Sequence, residues 1–349
     1  MTKLAEIKVE DALAPYRYAR GWHCLGDAEK YRDGKPHTLD IFGTRLVAFA
    51  TSDGTINVLD AFCPHMGADL STGTIENDRI VCPFHHWKYD AGGKCVEIPY
   101  CKRIPPKAKT KSWLTCVENN LLFVWNNPEG KPPREGVVIP HLPEMDSDEW
   151  IHEWNIDEMI IETNPRELVD NLVDAHHFGP VHHTPTTYFS NIFEGHIGHQ
   201  IFRGNSEFLG GGLAADSAYY GPATHFTRIN SNFGGTVVHA ILLNSHVPIT
   251  PNSFVLRFGC MVKRVPGMSE EQCRQMAIDY VKGNRESFYQ DVVIWKNKIR
   301  IDKPVLAETD GPVYQLREWY EQFFMDEDQI PASMYERREI ITVGDKDAQ

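Results

Sequence analysis

Between residues 40 and 126, short apolar runs alternate with polar turns: DIFGTRLVAFATSDGTINVLDAFCPH, RIVCPFHHWKYDAGG and KSWLTCVENNLLFVW. Ser52-Asp53-Gly54 and Asp90-Ala91-Gly92-Gly93 punctuate them as hairpin-type turns. Strands and turns recurring this regularly predict a small antiparallel β domain. After Trp125 comes NNPEGKPPREGVVIPHLPEMDSDEW, where proline, glycine and charge replace alternation and mark a boundary. Residues 1–130 are therefore expected as a first domain and 131–349 as a second. In the second, WIHEWNIDEMIIE, HQIFRGNSEFLGG, GTVVHAILLNSHVPI and SFVLRFGCMVKRV read as strands, and residues 164–178 and 269–300 read as helices. Antiparallel strands gripping helices make an α+β arrangement.

Composition narrows the classes. A chain of 349 residues suits two domains, and 42% hydrophobic with 24% charged residues describes an ordinary globular protein. A net charge of -13 with no basic run argues against nucleic acid as a partner. No stretch approaches the roughly 18 apolar residues of a membrane span. The opening MTKLAEIKVEDALAPYRYARGW lacks the apolar core of a signal peptide, so a cytoplasmic protein is expected. Eight cysteines are too sparse for a disulfide scaffold. Cys24, Cys116 and Cys260 lie in apolar strand-like runs and are expected as buried thiols.

The candidate chemistry sits in two places. Cys63-Pro64-His65 and Cys82-Pro83-Phe84-His85 each offer one thiolate and one imidazole. A zinc finger pairs Cys with Cys and His with His, so these mixed pairs favour a cluster in which one iron takes both sulfurs and the other both nitrogens. That is a Rieske [2Fe–2S] arrangement; a structural zinc site is the alternative. The second place is DNLVDAHHFGPVHH, Asp170 to His183, with four histidines in fourteen residues. On a helix Asp174 and His177 share a face and His176 points elsewhere. His177 and His182 are five apart and could not converge on a straight helix, so Gly179-Pro180 is expected to bend the chain between them. His176 and His183 are expected as bystanders. A two-histidine, one-carboxylate iron site then needs an acid from elsewhere. Asp291 borders the stripe Val281, Phe288, Val292, Trp295, Ile299 on the predicted second helix, where a carboxylate is costly unless paired or metal-bound. Glu286 and Asp279 lie off the stripe, and an ion pair of Asp291 with Lys298 is the competing reading.

CPH…CPFHHWKYDAGG resembles the Rieske domain of the Rieske non-heme iron oxygenases, departing from it at His86, where glycine is common. Asp174-x2-His177-x4-His182 resembles their mononuclear iron motif. DNLVDAHHFGPVHHTPTTYF, QDVVIWKNKIRIDKP and DGPVYQLREWYEQF are similar to the oxygenase subunits of 3-ketosteroid 9α-hydroxylases. The resemblance implies a helix-grip second domain, a [2Fe–2S] cluster on Cys63, His65, Cys82 and His85, and Fe(II) on His177, His182 and Asp291. It also implies a homotrimer in which Asp174 relays electrons between subunits, and a flavin and iron–sulfur reductase fed by NADH. The reaction implied is hydroxylation of a steroid with O2. Related sterol C-4 methyl oxidation or 7-desaturation is the neighbouring alternative; a non-catalytic Rieske carrier with a lipid-binding domain is the alternative of another class. A large apolar pocket is expected, with Tyr188, Phe189, Phe193, Phe233 and Phe288 as walls and Asn244 donating to a substrate carbonyl.

Overall fold

The computed structural model describes residues 17–206, 211–233 and 236–345. The expectation drawn from the N-terminal residues, and the Phe233 side chain, fall outside what is described. Two four-stranded antiparallel sheets form the ligand-bearing part of the first half. One orders His37–Ile41, Thr44–Ala50, Ile56–Asp60 and Ser112–Trp113; the other orders Thr74–Glu76, Arg79–Val81, Lys88–Tyr89 and Cys95–Glu97. A third sheet pairs Gly21–Asp27 with Leu121–Asn126, and Leu121–Asn126 with Thr115–Glu118.

The second half is built on one antiparallel sheet of eight strands. In chain order these are β1 (Asn155–Ile161), β2 (Thr186–Glu194), β3 (Ile197–Ser206), β4 (Gly211–Tyr220), β5 (Thr224–Phe233), β6 (Thr236–Thr250), β7 (Ser253–Val262) and β8 (Arg338–Val343). They lie in the order β1-β7-β6-β5-β4-β3-β2-β8. Three helices are added: α1 (Pro165–Asp170), α2 (Glu270–Trp295) and α3 (Val313–Glu321). The inner face of β7 (Leu256, Phe258, Cys260, Val262) packs on Ala277, Val281, Val292 and Trp295 of α2. Val169, Leu172, Leu316 and Trp319 close over Phe193 and Tyr219. The outer face is covered too, because Trp22, Cys24, Phe123 and Trp125 pack against Ile241, Leu243 and Met261. Burial on both faces explains why β6 contains the unbroken apolar run AILL instead of an alternation. Gly21 marks the closeness of this joint, since a Cβ there would meet Pro222 Cδ at 2.2 Å.

Two helices differ from expectation. The first ends at Asp170, not 178; residues 171–174 continue only as i→i−3 turns, such as Leu172 N to Val169 O at 3.0 Å. Asp174 is the reason: its carboxylate accepts from the backbone N–H of His176 (3.1 Å) and His177 (3.2 Å), a local bond that competes with the helix. The second starts where Ser269 and Gln272 form a reciprocal capping box, worth about 1 kcal/mol. It stops at Trp295, so Ile299 is not part of its apolar stripe and is 78% exposed. Strands β2, β4, β5 and β8 were not separated by the apolar pattern. GGLAADSAYY and THFTRINSNF carry small and polar residues on the inner face, which blurs the alternation.

Three buried histidines stitch this structure together. His23 Nε2 lies 3.1 Å from Ala19 O, and the Tyr320 hydroxyl lies 3.4 Å from His246 Nε2. His225 Nε2 lies 2.9 Å from Thr227 Oγ1. Burial pushes their pKa values down to about 4 for His23 and about 3 for His225 and His246.

Candidate metal centres

The two Cys/His pairs occupy loops of the same backbone design. Cys63 N donates to Ala68 O (2.8 Å) and Gly67 N donates back to Cys63 O (2.8 Å). Nineteen residues on, Cys82 N donates to Trp87 O (2.9 Å) and His86 N donates back to Cys82 O (3.0 Å). In each loop the fifth residue is left-handed: Gly67 at φ 77° and His86 at φ 58°. A side chain at such a φ costs roughly 1 kcal/mol, which is why glycine suits position 86 and why His86, fully outside the ligand set, is tolerated as an exposed residue. The loops bring His65 and His85 together with ring centroids 4.6 Å apart. His65 is stacked on Trp87 at 4.4 Å, and the Trp87 indole N–H donates to the Tyr100 hydroxyl at 2.7 Å. Both sulfurs are buried, and the Tyr89 hydroxyl lies 3.0 Å from Cys63 Sγ. Burial, with Cys63 beside it, pushes the Cys82 thiol up. His85 Nδ1 is buried without a hydrogen-bond partner among the described residues. An orphaned imidazole nitrogen beside two adjacent buried thiols is a donor set that a [2Fe–2S] cluster with mixed ligands fits.

The second centre joins α2 to the turn after α1. Ligand atoms of His177, His182 and Asp291 all lie within 4.8 Å of one another. Residues 177–184 wrap tightly, with Val181 N donating to His177 O (2.9 Å) and His183 N to Gly179 O (3.0 Å). Gly179-Pro180 therefore lies inside a turn and does not separate two straight helices; the helix has already ended upstream. The two imidazole rings stand 5.1 Å apart at 78°. Each ring is held by its Nδ1: His177 Nδ1 lies 2.6 Å from Asp174 O, and His182 Nδ1 lies 3.0 Å from Gln290 Oε1. Holding Nδ1–H in this way leaves Nε2 as the lone-pair nitrogen on both rings, the tautomer a metal requires. His182 Nε2 is 3.4 Å from Asp291 Oδ2. Burial works against a charged His182 ring, but Asp291 outweighs it and the pKa is raised. Two imidazoles and one carboxylate on one side of a site suit a non-heme Fe(II) with open positions. Lys298 does not compete for Asp291, because it pairs with Glu167 at 2.6 Å.

The bystanders are accounted for. His176 Nε2 meets Thr309 O at 3.0 Å, pinning the loop before α3, and His183 is left-handed at φ 52°. Asp279 pairs with Lys282 on the exposed side of α2. Phe288 packs on Phe258 (5.3 Å) beside the centre, whereas Phe193 packs on Trp319 (5.6 Å) on the α3 side. Phe189 joins Phe178 and Phe202 beneath the histidine turn, and Tyr188 lies against Gly344. Asn244 lies on the inner face of β6, paired with His225 of β5. Its NH2 is engaged by His225 Nε2 at 3.0 Å, so its unpartnered atom is Oδ1, an acceptor. The donor left over is the ring N–H at His225 Nδ1, buried without a partner. Sequence reasoning missed His225 and Gln290; both lie far along the chain from what they touch, or on a strand not recognised.

Comparison with known proteins now decides the family. The Rieske [2Fe-2S] domain profile matches residues 21–116, and the 3-ketosteroid 9alpha-hydroxylase C-terminal domain profile matches residues 124–324. A 3-ketosteroid-9-alpha-monooxygenase oxygenase component of Rhodococcus rhodochrous is 45% identical over 343 residues, covering 95% of this chain and 88% of the relative. The chain belongs to the 3-ketosteroid 9α-hydroxylase oxygenase family. A second member, from Mycobacterium tuberculosis, is also 45% identical, covering 95% and 89%. Cholesterol 7-desaturase nvd 1 of Ciona intestinalis is a more distant relative at 27% identity, covering 91% and 71%. Among solved structures, dicamba monooxygenase bound to dicamba superposes with a TM-score of 0.71 at 20% identity, covering 88% of this chain and 98% of that one. Oxygenases of this family use a Rieske cluster, a mononuclear iron and O2, and the two centres described above are the places in this chain that fit them. No helix among the described residues is long and apolar enough to cross a membrane.

Proposed function

We propose that this chain is the terminal oxygenase component of a steroid monooxygenase, hydroxylating a 3-ketosteroid at the 9α position. Its electrons come from NADH through a separate flavin and iron–sulfur reductase. The observation that carries the reading is the pair of donor sets in one chain of this family: mixed Cys/His loops at one end, and a His177, His182, Asp291 face at the other. When bound, the cluster supplies one-electron transfer and the mononuclear iron supplies activation of O2. The chain's own contribution is to fix the ligands and surround a flat apolar molecule. Phe288 forms an aromatic wall on the helix that carries Asp291, and His225 N–H with Asn244 Oδ1 offers a polar end. A ketone oxygen would accept from His225; a hydroxyl would donate to Asn244.

Two exposed apolar surfaces support assembly as a homotrimer. One surrounds the Cys/His loops with Phe62, Met66 and Phe84; the other surrounds the end of α2 and the loop after it with Val293, Ile294, Ile301 and Val305. Two different patches on one chain suit a head-to-tail contact, the kind from which a closed ring is built. In that ring the half-exposed Asp174 carboxylate, one turn from His177, is the relay to a neighbour's His85. Asp174→Asn should retain both metals and a reducible cluster, while turnover falls by about 100-fold. Normal turnover would remove the relay role. All eight cysteines are unpaired, as suits a cytoplasmic location.

The function is tested by supplying anaerobically purified protein with a reductase and a panel of steroids, followed by mass spectrometry. Hydroxylated 3-ketosteroid supports the reading. Product only as a Δ7 or demethylated sterol would transfer the chain to the alternatives, of which the 7-desaturase relative favours the first.

A further inference from the structure

The chain carries 35 Lys and Arg against 48 Asp and Glu, and most of the described cations sit in ion pairs. One stretch departs from this. From Lys94 to Lys111 the sequence is KCVEIPYCKRIPPKAKTK, with six cations (Lys94, Lys102, Arg103, Lys107, Lys109, Lys111) and a single acid, Glu97. Glu97 is already neutralised by Arg79 at 3.5 Å and Lys88 at 3.2 Å. Among the described residues none of the six forms an ion pair, and all six are exposed. Unpaired cations concentrated on an acidic protein are a focused patch, not a general property of the surface.

The backbone holds this patch rigidly and places it beside the cluster loops. Lys94 bridges to Lys109, Cys95 N donates to Ala108 O (2.9 Å), and Thr110 N donates to Gly93 O (2.8 Å). Lys107 is exposed in the turn closed by Ala108 N donating to Pro105 O (2.9 Å); beyond it Ala108 and Thr110 are buried while Lys109 and Lys111 are exposed, Lys111 Nζ lying 3.6 Å over the Trp113 ring. Gly93 allows the approach, because a Cβ there would meet Thr110 O at 2.3 Å. At the other end Tyr100 ties the strip to the ligand loops. Its hydroxyl accepts from Trp87, which stacks on His65, and its ring lies 6.5 Å from that of His85.

We infer that this lysine strip is the docking surface for the electron donor, an iron–sulfur domain with an acidic face. The inference rests on the oxygenase reading above, which requires a separate donor, and adds where that donor sits and by what chemistry it is recognised. On a chain of net charge -13, a stretch of six cations and one neutralised acid is where the acidic face of a donor would be attracted. The Tyr100 end of the strip meets the ligand loops, its ring 6.5 Å from that of His85, so a donor seated there is also near the cluster site. One electron leaves the donor's reduced cluster, which is oxidised, and enters the Rieske cluster, which is reduced; no bond is made or broken.

The test measures reduction of the Rieske cluster in the whole oxygenase by stopped flow, using a pre-reduced acidic [2Fe–2S] ferredoxin as the donor probe. Dithionite serves as a reductant that needs no docking. The variant combines Lys102→Glu, Lys107→Glu and Lys109→Glu, three exposed positions outside both ligand sets. Reduction of the unaltered protein by ferredoxin should slow as salt is raised. The variant should lose about ten-fold or more in the second-order rate at low salt, and most of the salt dependence, with dithionite reduction unchanged. Equal ferredoxin rates for both proteins would overturn the docking surface. A variant that changes its oligomeric state would assign the strip to contact between copies, and would equally overturn it. Failure of dithionite to reduce the unaltered protein would instead remove the oxygenase reading.

Discussion

Asp291→Ala protein will keep its Rieske spectrum and lose its mononuclear iron, dropping from three irons per chain to the two of the cluster. Turnover should fall by at least about 1000-fold, since an open-sided metal centre loses its only carboxylate. The reasoning is local. Asp291 is buried, its Oδ2 lies 3.4 Å from His182 Nε2, and among the described residues no lysine or arginine is paired with it. A buried carboxylate that faces a ring nitrogen, instead of a guanidinium, is placed for a cation that both can share. Asp291→Glu keeps the charge on a longer stem and should retain part of the iron. The readouts are iron content and the visible spectrum of anaerobically purified protein. Unchanged iron in Asp291→Ala would move the carboxylate ligand elsewhere.

The second large effect is acid sensitivity. His23, His225 and His246 are buried and neutral, with pKa values near 4, 3 and 3. In the unfolded chain each titrates near 6.5. Below that value the unfolded state binds more protons than the folded state, so stability falls as pH falls; above it, nothing is lost. At pH 5 each histidine costs about 2 kcal/mol relative to pH 8, and the three together cost about 6 kcal/mol, because all three stay neutral in the folded chain at that pH. That is comparable to the whole stability of many domains. Urea midpoints followed by tryptophan fluorescence should therefore decline steeply between pH 6.5 and pH 4.5. The decline should be shallower in a His23→Gln, His246→Gln double variant. A flat profile from pH 8 to pH 5 would contradict neutral burial.

Much of the site was legible because its ligands are close in sequence. Cys63 with His65 and Cys82 with His85 are close enough for spacing alone to bring them into view, and His177 with His182 needs only the bend at Gly179-Pro180 between them. Asp291 was legible for a different reason, as a charge bordering an apolar helical stripe. Gly179-Pro180 does lie where the chain bends between His177 and His182, but the first helix ends earlier than its apolar pattern suggests, because Asp174 caps the following backbone. Gln290 was out of reach because its partner His182 lies 108 residues away, and only the pairing of α2 against the histidine turn creates the contact. His225 was hidden within THFTRINSNF, whose polar inner face does not look like a strand in isolation. The lysine strip was present in the sequence as KRIPPKAKTK but diluted by a strongly acidic whole. It gains meaning only from its place beside Tyr100 and His85.

Strand β2 leaves directly from the turn that bears His177 and His182, and its outer edge is paired by β8, with Ile192 opposite Glu339 and Phe193 opposite Arg338. A ribosome has therefore made the two histidines some 150 residues before it makes the strand that covers their scaffold. Until then the nascent chain presents an unpaired edge, which is a site for mispairing with other chains. The order of synthesis thus sets an order of assembly: the sheet next to the histidine turn is closed late, and protein halted before residue 338 is expected to reach its chaperones with that edge bare.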